Sequence, residues 1–328
     1  MSKSLGNTVE PQQVIKQYGA DILRIWVVSS DYSEDLRIGP EILKHQSDLY
    51  RRIRNTLRFL LGNLAGFDDG ERVGLAEMPE LERWVLHRLW ELDGHVRRCI
   101  DDFEFHNLWT ALHNFCAVEL SAFYFDIRKD GLYCDPADAL SRRACRTVLD
   151  TLFNHLTAWL SPILCFTAEE AWLSRHGDGP DTSVHLRTFP EVDPNWCDDA
   201  LAAKWEKIRR LRRVVTGALE IERAEKRIGS SLQAAPEVYA DDDTVAAMAG
   251  VDLAEISITS AASLIAGAPP AGAFSLDDVP GIGVVPKEAE GEKCARCWQF
   301  LPDVGNHGHD QICSRCAAAV DKLPTAAE

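Results

Sequence analysis

Lys293-Cys294-Ala295-Arg296-Cys297-Trp298 is followed, about fifteen residues on, by Ile312-Cys313-Ser314-Arg315-Cys316. Two Cys-x-x-Cys knuckles at this separation form the pattern of a four-cysteine zinc site. Two intervening residues let the chain turn so that both thiolates of a knuckle face one point about 2.3 Å away, and the second knuckle completes a tetrahedron. Cys294, Cys297, Cys313 and Cys316 are therefore the expected ligands of one structural Zn2+. Four protein donors leave no position open for water, so a metal here shapes the chain rather than reacting. Two alternatives stand beside this reading: a pair of disulfides or unrelated thiols, and a ligand set in which His307 or His309 of the intervening loop replaces a cysteine.

The rest of the chain sets the context. At 328 residues and 46% hydrophobic, it is long enough for two to four domains with filled cores. No apolar run approaches the roughly 18 residues of a membrane span, and residues 1–25 lack the layout of a signal peptide. The expectation is a cytoplasmic chain with no membrane partner. Cys99, Cys116, Cys134, Cys145, Cys165 and Cys197 are scattered singly, mostly in apolar helical patterns, which suits reduced thiols better than a disulfide framework. A formal net charge of −16 argues against a general nucleic-acid binder. Binding is decided by the face shown to phosphate, however, and the basic residues cluster locally.

Upstream of the knuckles, residues 261–273 are rich in alanine, glycine and proline and read as a linker. Before them, strands at Glu237–Ala240 and Glu255–Thr259 with a helix at Asp242–Ala249 between them suggest a small α/β unit. A helix from about Asp198 to Lys226 carries Lys204, Lys207, Arg209, Arg210, Arg212 and Arg213, with Arg223, Lys226 and Arg227 at its end. That stripe reads either as a solvated face paired with Glu206, Glu220, Glu222 and Glu225 or as a phosphate-contacting surface. Ser183–Arg187 reads as a short strand after the loop residues Gly177–Asp181. Between Pro40 and Arg175, apolar residues recur every three or four positions in long runs. One opens at Pro40, one at Pro79, one spans about His106 to Phe125 before a turn at Lys129-Asp130-Gly131, and one spans about Ala139 to Leu160 before Pro162. Such runs with short connections predict an up-and-down bundle. The first helix exposes Arg51, Arg52, Arg54 and Arg58. The start, Met1-Ser2-Lys3-Ser4-Leu5-Gly6-Asn7-Thr8, puts an ammonium and two hydroxyls in a short loop that suits a phosphate, or is an ordinary disordered start.

Taken together, Met1–Thr8, Gly19-Ala20-Asp21-Ile22-Leu23-Arg24, Tyr50-Arg51-Arg52-Ile53-Arg54-Asn55-Thr56, Phe123–Asp130, Phe166–Trp172, Gly229-Ser230-Ser231-Leu232 and Gly291–Trp298 resemble the C-terminal portion of the bacterial isoleucyl-tRNA synthetases, class I aminoacyl-tRNA synthetases. The resemblance covers essentially the whole chain. The first and fifth segments are shared with the valine and leucine enzymes; Phe123–Asp130 and the knuckle select isoleucine. Met1, Ser2, Lys3 and Ser4 match four positions of the family's KMSKS signature, whose first lysine is absent here. The resemblance makes Ser2, Lys3 and Ser4 an ATP-binding set, with Lys3 catalytic through stabilisation of the pyrophosphate leaving group. It implies a mainly α chain: a KMSKS loop and stem-contact segment (1–39), a helical-bundle anticodon-binding domain (40–180), a small α/β junction domain (181–285) and a zinc module (286–328). The implied partner is tRNA(Ile), with Arg51, Arg52, Arg54, Arg296, Trp298 and Arg315 as candidate contacts, since RNA loops are held by basic side chains and stacked on aromatic planes. ATP with Mg2+, isoleucine and the editing pocket belong to the complete enzyme. This chain alone, expected to be a monomer, would bind tRNA without activating the amino acid. A free-standing zinc-ribbon module and the equivalent part of a valine or leucine synthetase are the competing readings.

Overall fold

The computed structural model describes residues 4, 8–33 and 35–323, and these fall into two compact units. The first comprises the chain up to Asp126 together with Arg143–Cys197. Its helices are α1 (Pro11–Tyr18), α2 (Ala20–Ser29), α3 (Pro40–Asn63), α4 (Glu80–Asp101), α5 (Phe105–Asn114), α7 (Leu140–Leu160) and α8 (Cys165–His176), the numbering leaving α6 for the second unit. Pro40 opens α3 because its fixed φ suits a first helical turn and its missing N–H would have had no partner there. Leu43, Ile53, Leu57 and Leu60 form the buried stripe of α3, and Leu81, Trp84, Val85, Leu89, Leu92 and Val96 that of α4. After α5 the backbone widens into a π-helical stretch, Phe115–Tyr124, that buries Phe115, Cys116, Leu120, Phe123 and Tyr124. The central element is α7, buried almost all round through Val148, Leu149, Leu152, Phe153, Leu156 and Trp159. The run of helices expected over this stretch is present.

Two polar devices lock this unit. The buried Arg146 guanidinium grips both carboxylate oxygens of Glu71 at 2.7 and 2.6 Å and donates to the carbonyls of Asn63 (3.1 Å) and Ala65 (2.8 Å). It thereby supplies donors for carbonyls at the end of α3 that have no intrahelical partner. At the start of α8, Leu164 offers no side-chain cap. Asp21 of α2 acts instead, accepting from the Thr167 N–H at 2.9 Å and the Thr167 hydroxyl at 2.6 Å. Arg24 donates to the carbonyls of Ile163 (3.0 Å) and Pro162 (2.6 Å), and Tyr50 donates to the Thr167 hydroxyl at 3.0 Å.

Ser183–Arg187 is not a strand. Val184–Leu186 forms a 3-10 turn, with the Val184 N–H taken by the Glu169 carboxylate at 2.8 Å rather than by a neighbouring strand.

The second unit comprises Ile127–Arg142 and the chain from Asp198 onward. It contains α6 (Phe125–Cys134) and α9 (Asp199–Ala224), the latter capped by Asp198 accepting from the Leu201 N–H at 2.9 Å. A four-stranded sheet, in order β2-β1-β4-β3, is built from β1 (Glu237–Ala240), β2 (Ser263–Ala266), β3 (Phe274–Leu276) and β4 (Val279–Val285). The β1–β2 pair is parallel, joined through α10 (Asp242–Ala247) and α11 (Leu253–Ser257); β4 runs antiparallel to both β1 and β3. Gly217 on α9 lets the Phe274 ring approach closely: a Cβ there would sit 3.0 Å from the ring, which would have to give by a few tenths of an ångström.

Three local expectations are corrected in this unit. The turn at Lys129-Asp130-Gly131 is absent: α6 runs through it, because Leu132 and Cys134 are buried and packing overrides the glycine. Glu255–Thr259 is largely helical, nucleated by the Asp252 side chain accepting from the Ala254 N–H at 2.8 Å, despite its β-branched residues. The presumed linker contains β2, in register with β1 from Glu237↔Ser263 to Ala240↔Ala266.

The basic face of α9 is internally paired. Lys207 contacts Asp243 at 2.6 Å, Arg210 contacts Glu206, Arg213 contacts Asp278, Arg223 contacts Glu220, Arg227 contacts Glu222, and Arg212 donates to the Ile256 carbonyl. Of its two readings, the structure takes the paired one at these residues. Among the described residues no helix is long and apolar enough to cross a membrane.

Candidate functional site

β5 (Glu292–Lys293) and β6 (Phe300–Leu301) form a two-stranded hairpin that carries the first knuckle, and α12 (Ser314–Asp321) begins directly after Cys313. The hairpin closes on Gly291, at φ +99°, where a Cβ would lie 2.2 Å from the Leu301 backbone. The knuckle turn is set by the Cys294 N–H donating to Gln299 O (2.8 Å) and the Trp298 N–H donating to Cys294 O (2.9 Å). All four cysteines are buried, none is in a disulfide, and their sulfurs lie within 4.8 Å of one another. The Cys297 and Cys313 sulfurs are 3.8 Å apart. A tetrahedron with arms of about 2.3 Å has edges of about 3.8 Å, so the cage fits zinc. The histidines are committed elsewhere: His309 contacts Asp321 at 2.9 Å and His307 contacts Asp303 at 3.6 Å. Their exclusion leaves the all-cysteine set.

The local electrostatics suit a dication. Burial pushes the Cys294 thiol up, but N–H donors from Cys297, Cys313 and Arg296 outweigh it and bring the group down to about 6. Burial, reinforced by the neighbouring thiols, instead pushes Cys316 up to about 12 and raises Cys297 as well. One thiolate forms readily, while four together need a cation among them.

The knuckles are seated on the segment after Ile127. Arg315 makes a two-pronged pair with Asp130 at 2.6 and 3.0 Å and reaches Asp135 at 3.4 Å. Arg296 donates to the carbonyls of Tyr133 (3.1 Å) and Cys134. Lys322 pairs with Asp138 at 2.9 Å, and the buried Cys134 packs among the four cysteines. Arg296 and Arg315 thus spend their guanidinium groups on protein partners. Trp298 does not bury its ring: it is 60% exposed, at φ +68°, with the Lys293 ammonium 5.6 Å from the ring centre. Tyr133, also 60% exposed, is an aromatic that the sequence reading passed over. On α3, Arg51, Arg52 and Arg54 are exposed; Arg51 pairs with Asp48 at 2.9 Å and Arg54 lies 3.7 Å from Glu170.

Comparison with known proteins places these features. The family described as "Anticodon-binding domain of tRNA ligase" matches residues 82–239, "tRNA synthetases class I (I, L, M and V)" matches 1–39, and "Zinc finger found in FPG and IleRS" matches 291–319. The isoleucine–tRNA ligase of Ruegeria pomeroyi is 55% identical over 98% of this chain and 33% of its own length. Those of Brucella abortus and Agrobacterium fabrum are 53% and 55% identical with the same coverage. The chain corresponds to the C-terminal part of the isoleucine–tRNA ligases. It spans about a third of the length of the curated ligases it matches. Within the ligase frame, the seat of the knuckles at Asp130–Asp138 lies inside the anticodon-binding match, so two separately matched regions of the ligase meet in one compact unit. Of the ligase signature at the start, Ser4 is exposed, whereas Ser2 and Lys3 lie outside the described residues.

Proposed function

We propose that this chain is the tRNA-handling part of an isoleucine–tRNA ligase, the enzyme that activates isoleucine with ATP and transfers it to tRNA(Ile). Residues 40–180 serve as the anticodon-binding bundle, 181–285 as the junction domain and 286–328 as the zinc module, in a cytoplasmic monomer. One Zn2+ held by Cys294, Cys297, Cys313 and Cys316 fixes the fold of that module. Ser2, Lys3 and Ser4 act on ATP and Mg2+ only within the complete enzyme.

The observation that carries the reading is the display of Trp298. A bulky residue at positive φ is a rare and costly conformation, on the order of 1–3 kcal/mol, and here the knuckle enforces it while leaving the ring in solvent beside a lysine. That arrangement suits a base unstacked from an RNA loop. Arg51, Arg52 and Arg54 supply backbone contacts; Arg296 and Arg315 contribute by seating the knuckle.

Binding of tRNA(Ile) and tRNA(Val) transcripts at about 50 and 200 mM salt tests this. The expected result is preference for tRNA(Ile), with Trp298→Ala losing about 1–3 kcal/mol and Trp298→Phe retaining most of it. Equal affinity for both transcripts, or an unchanged Trp298→Ala variant, overturns the reading. Isoleucine-dependent pyrophosphate exchange by this chain alone is expected to be absent.

A further inference from the structure

Within the first unit, a groove of about 360 Å³ runs between α3 and α8, lined by Arg54, Leu57, Arg58, Leu61, Glu170 and Ala171 among others. We infer that this groove seats the sugar–phosphate backbone of the bound RNA, with Arg58 as its principal cation and Glu170 as a built-in competitor for Arg54. The inference rests on the RNA-binding reading above and extends it. Only the α8 wall lies within the region matched as anticodon-binding; α3 precedes it.

Arg51, Arg54 and Arg58 stand at intervals of three and four residues, so they share one exposed edge of α3 over about 10 Å of axial rise. Such a row complements a repeating polyanion rather than a single charged group. The floor, Leu57 with Leu61 and Ala171, is apolar and offers a ribose or base face a place out of water. Arg58 makes no side-chain hydrogen bond or ion pair among the described residues. Among the described residues Arg54 has only a long, solvent-exposed contact with Glu170, 3.7 Å with both side chains at least half exposed. Surface pairs of that kind hold weakly, so an incoming phosphate displaces the carboxylate at little cost. The two partners therefore have opposite effects: removing Arg58 removes an attraction, whereas neutralising Glu170 removes a competitor and a local repulsion.

The test is binding of a tRNA(Ile) transcript by the full chain across a salt series, for Arg58→Gln, Arg54→Gln and Glu170→Gln. Each substitution lies on an exposed face, and circular dichroism confirms that the fold is kept. Arg58→Gln is expected to weaken binding about five-fold and to reduce the slope of log K against log salt by about 1. Glu170→Gln is expected to tighten binding about three-fold at low salt. If the parent binds and all three variants match it in affinity and slope, the groove is not the seat. If Glu170→Gln weakens binding, its role as competitor is overturned. Failure of the parent to bind tRNA overturns the RNA-binding reading and the groove together.

Discussion

Substituting Arg315 by methionine would separate the metal knuckle from its seat while leaving all four thiols in place. The substitution keeps much of the aliphatic stem but removes the paired bonds to Asp130 at 2.6 and 3.0 Å and the reach to Asp135 at 3.4 Å. It strands two carboxylates whose side chains are 32% and 17% exposed. Exposed ion pairs contribute about 0–1 kcal/mol, and breaking a buried one costs about 3–5 kcal/mol. A site between these limits is expected to lose about 2 kcal/mol of docking, a roughly 30-fold rise in the opening equilibrium. Hydrogen exchange reads this directly: amides of 127–139 and 291–319 should exchange faster by that factor, while α3, α4 and α7 keep their protection. Zinc content should stay at one equivalent, because the ligands are untouched. Chelation of zinc from the parent chain is expected to accelerate the same two segments together, since Arg296 and Lys322 reach the seat, and Cys134 of the seat packs against the knuckle thiols, only while the knuckle is folded. Unchanged exchange at 127–139 in Arg315→Met, or chelation that loosens 291–319 alone, would refute the coupling.

Two further outcomes follow from the first unit. Asp21→Ala deprives α8 of its only described side-chain cap and leaves the Thr167 hydroxyl without its acceptor, so urea unfolding should shift to a lower midpoint at constant slope by about 1–2 kcal/mol; an unchanged midpoint would remove the capping role. Burial holds the His155 imidazole below its ordinary 6.5, and the Thr151 carbonyl and Asp93 do not cancel that effect. The unfolded chain therefore takes the proton first, and the stability this residue contributes is complete above about pH 6.5 and lost as pH falls through the folded value. Thermal unfolding between about pH 7.5 and 5.5 should show a steeper acid loss in the parent than in His155→Asn, by up to about 1.4 kcal/mol per pH unit for one proton, and equal slopes would contradict it.

The parts legible in the sequence are those set by local rules. The four ligands follow from the reach of a two-residue turn, and α3, α4 and α7 from apolar spacing, with Pro40 and Pro79 marking the starts of α3 and α4 and Pro162 the end of α7. What escaped depends on partners far along the chain. Ser263–Ala266 is composed like a linker and becomes a strand only because β1 lies alongside it. Lys129-Asp130-Gly131 has the composition of a turn, yet its carboxylate is held by Arg315, a partner 185 residues away. Arg296 and Arg315 have the chemistry of RNA contacts; nothing in their neighbourhood of sequence announces that Tyr133, Cys134 and Asp130 claim them first. Trp298, by contrast, is held by bonds inside its own knuckle, so its exposure could be entertained from the motif alone.

The same contrast bears on how a chain with 51 acidic and 35 basic side chains would present the RNA-binding face proposed above. Acids in excess do not spread their effect evenly; they capture the cations they can reach, as Glu71 does Arg146, Asp150 does Arg72, Glu119 does Arg88 and Asp243 does Lys207. A phosphate would have to break each such pair to use the cation; Arg146, only 10% exposed, has exchanged most of its solvent for the carboxylate, whereas Lys207 remains 43% exposed. The cations available to a phosphate are those the fold keeps away from carboxylates or pairs loosely. Arg58 and Arg54 on α3 meet that description, whereas Arg210 and Arg223 in the far denser stripe on α9 hold their carboxylates more closely, at 3.2 and 2.7 Å, although those pairs too are exposed. Net charge and local density therefore point away from the groove proposed above, whereas the 3.7 Å length of the Arg54–Glu170 pair, and Arg58 without a side-chain partner among the described residues, point to it. On this reasoning the affinity for RNA responds to Arg58 and Glu170 in opposite directions, while neutralising Arg210 or Arg223 on α9 leaves it nearly unchanged.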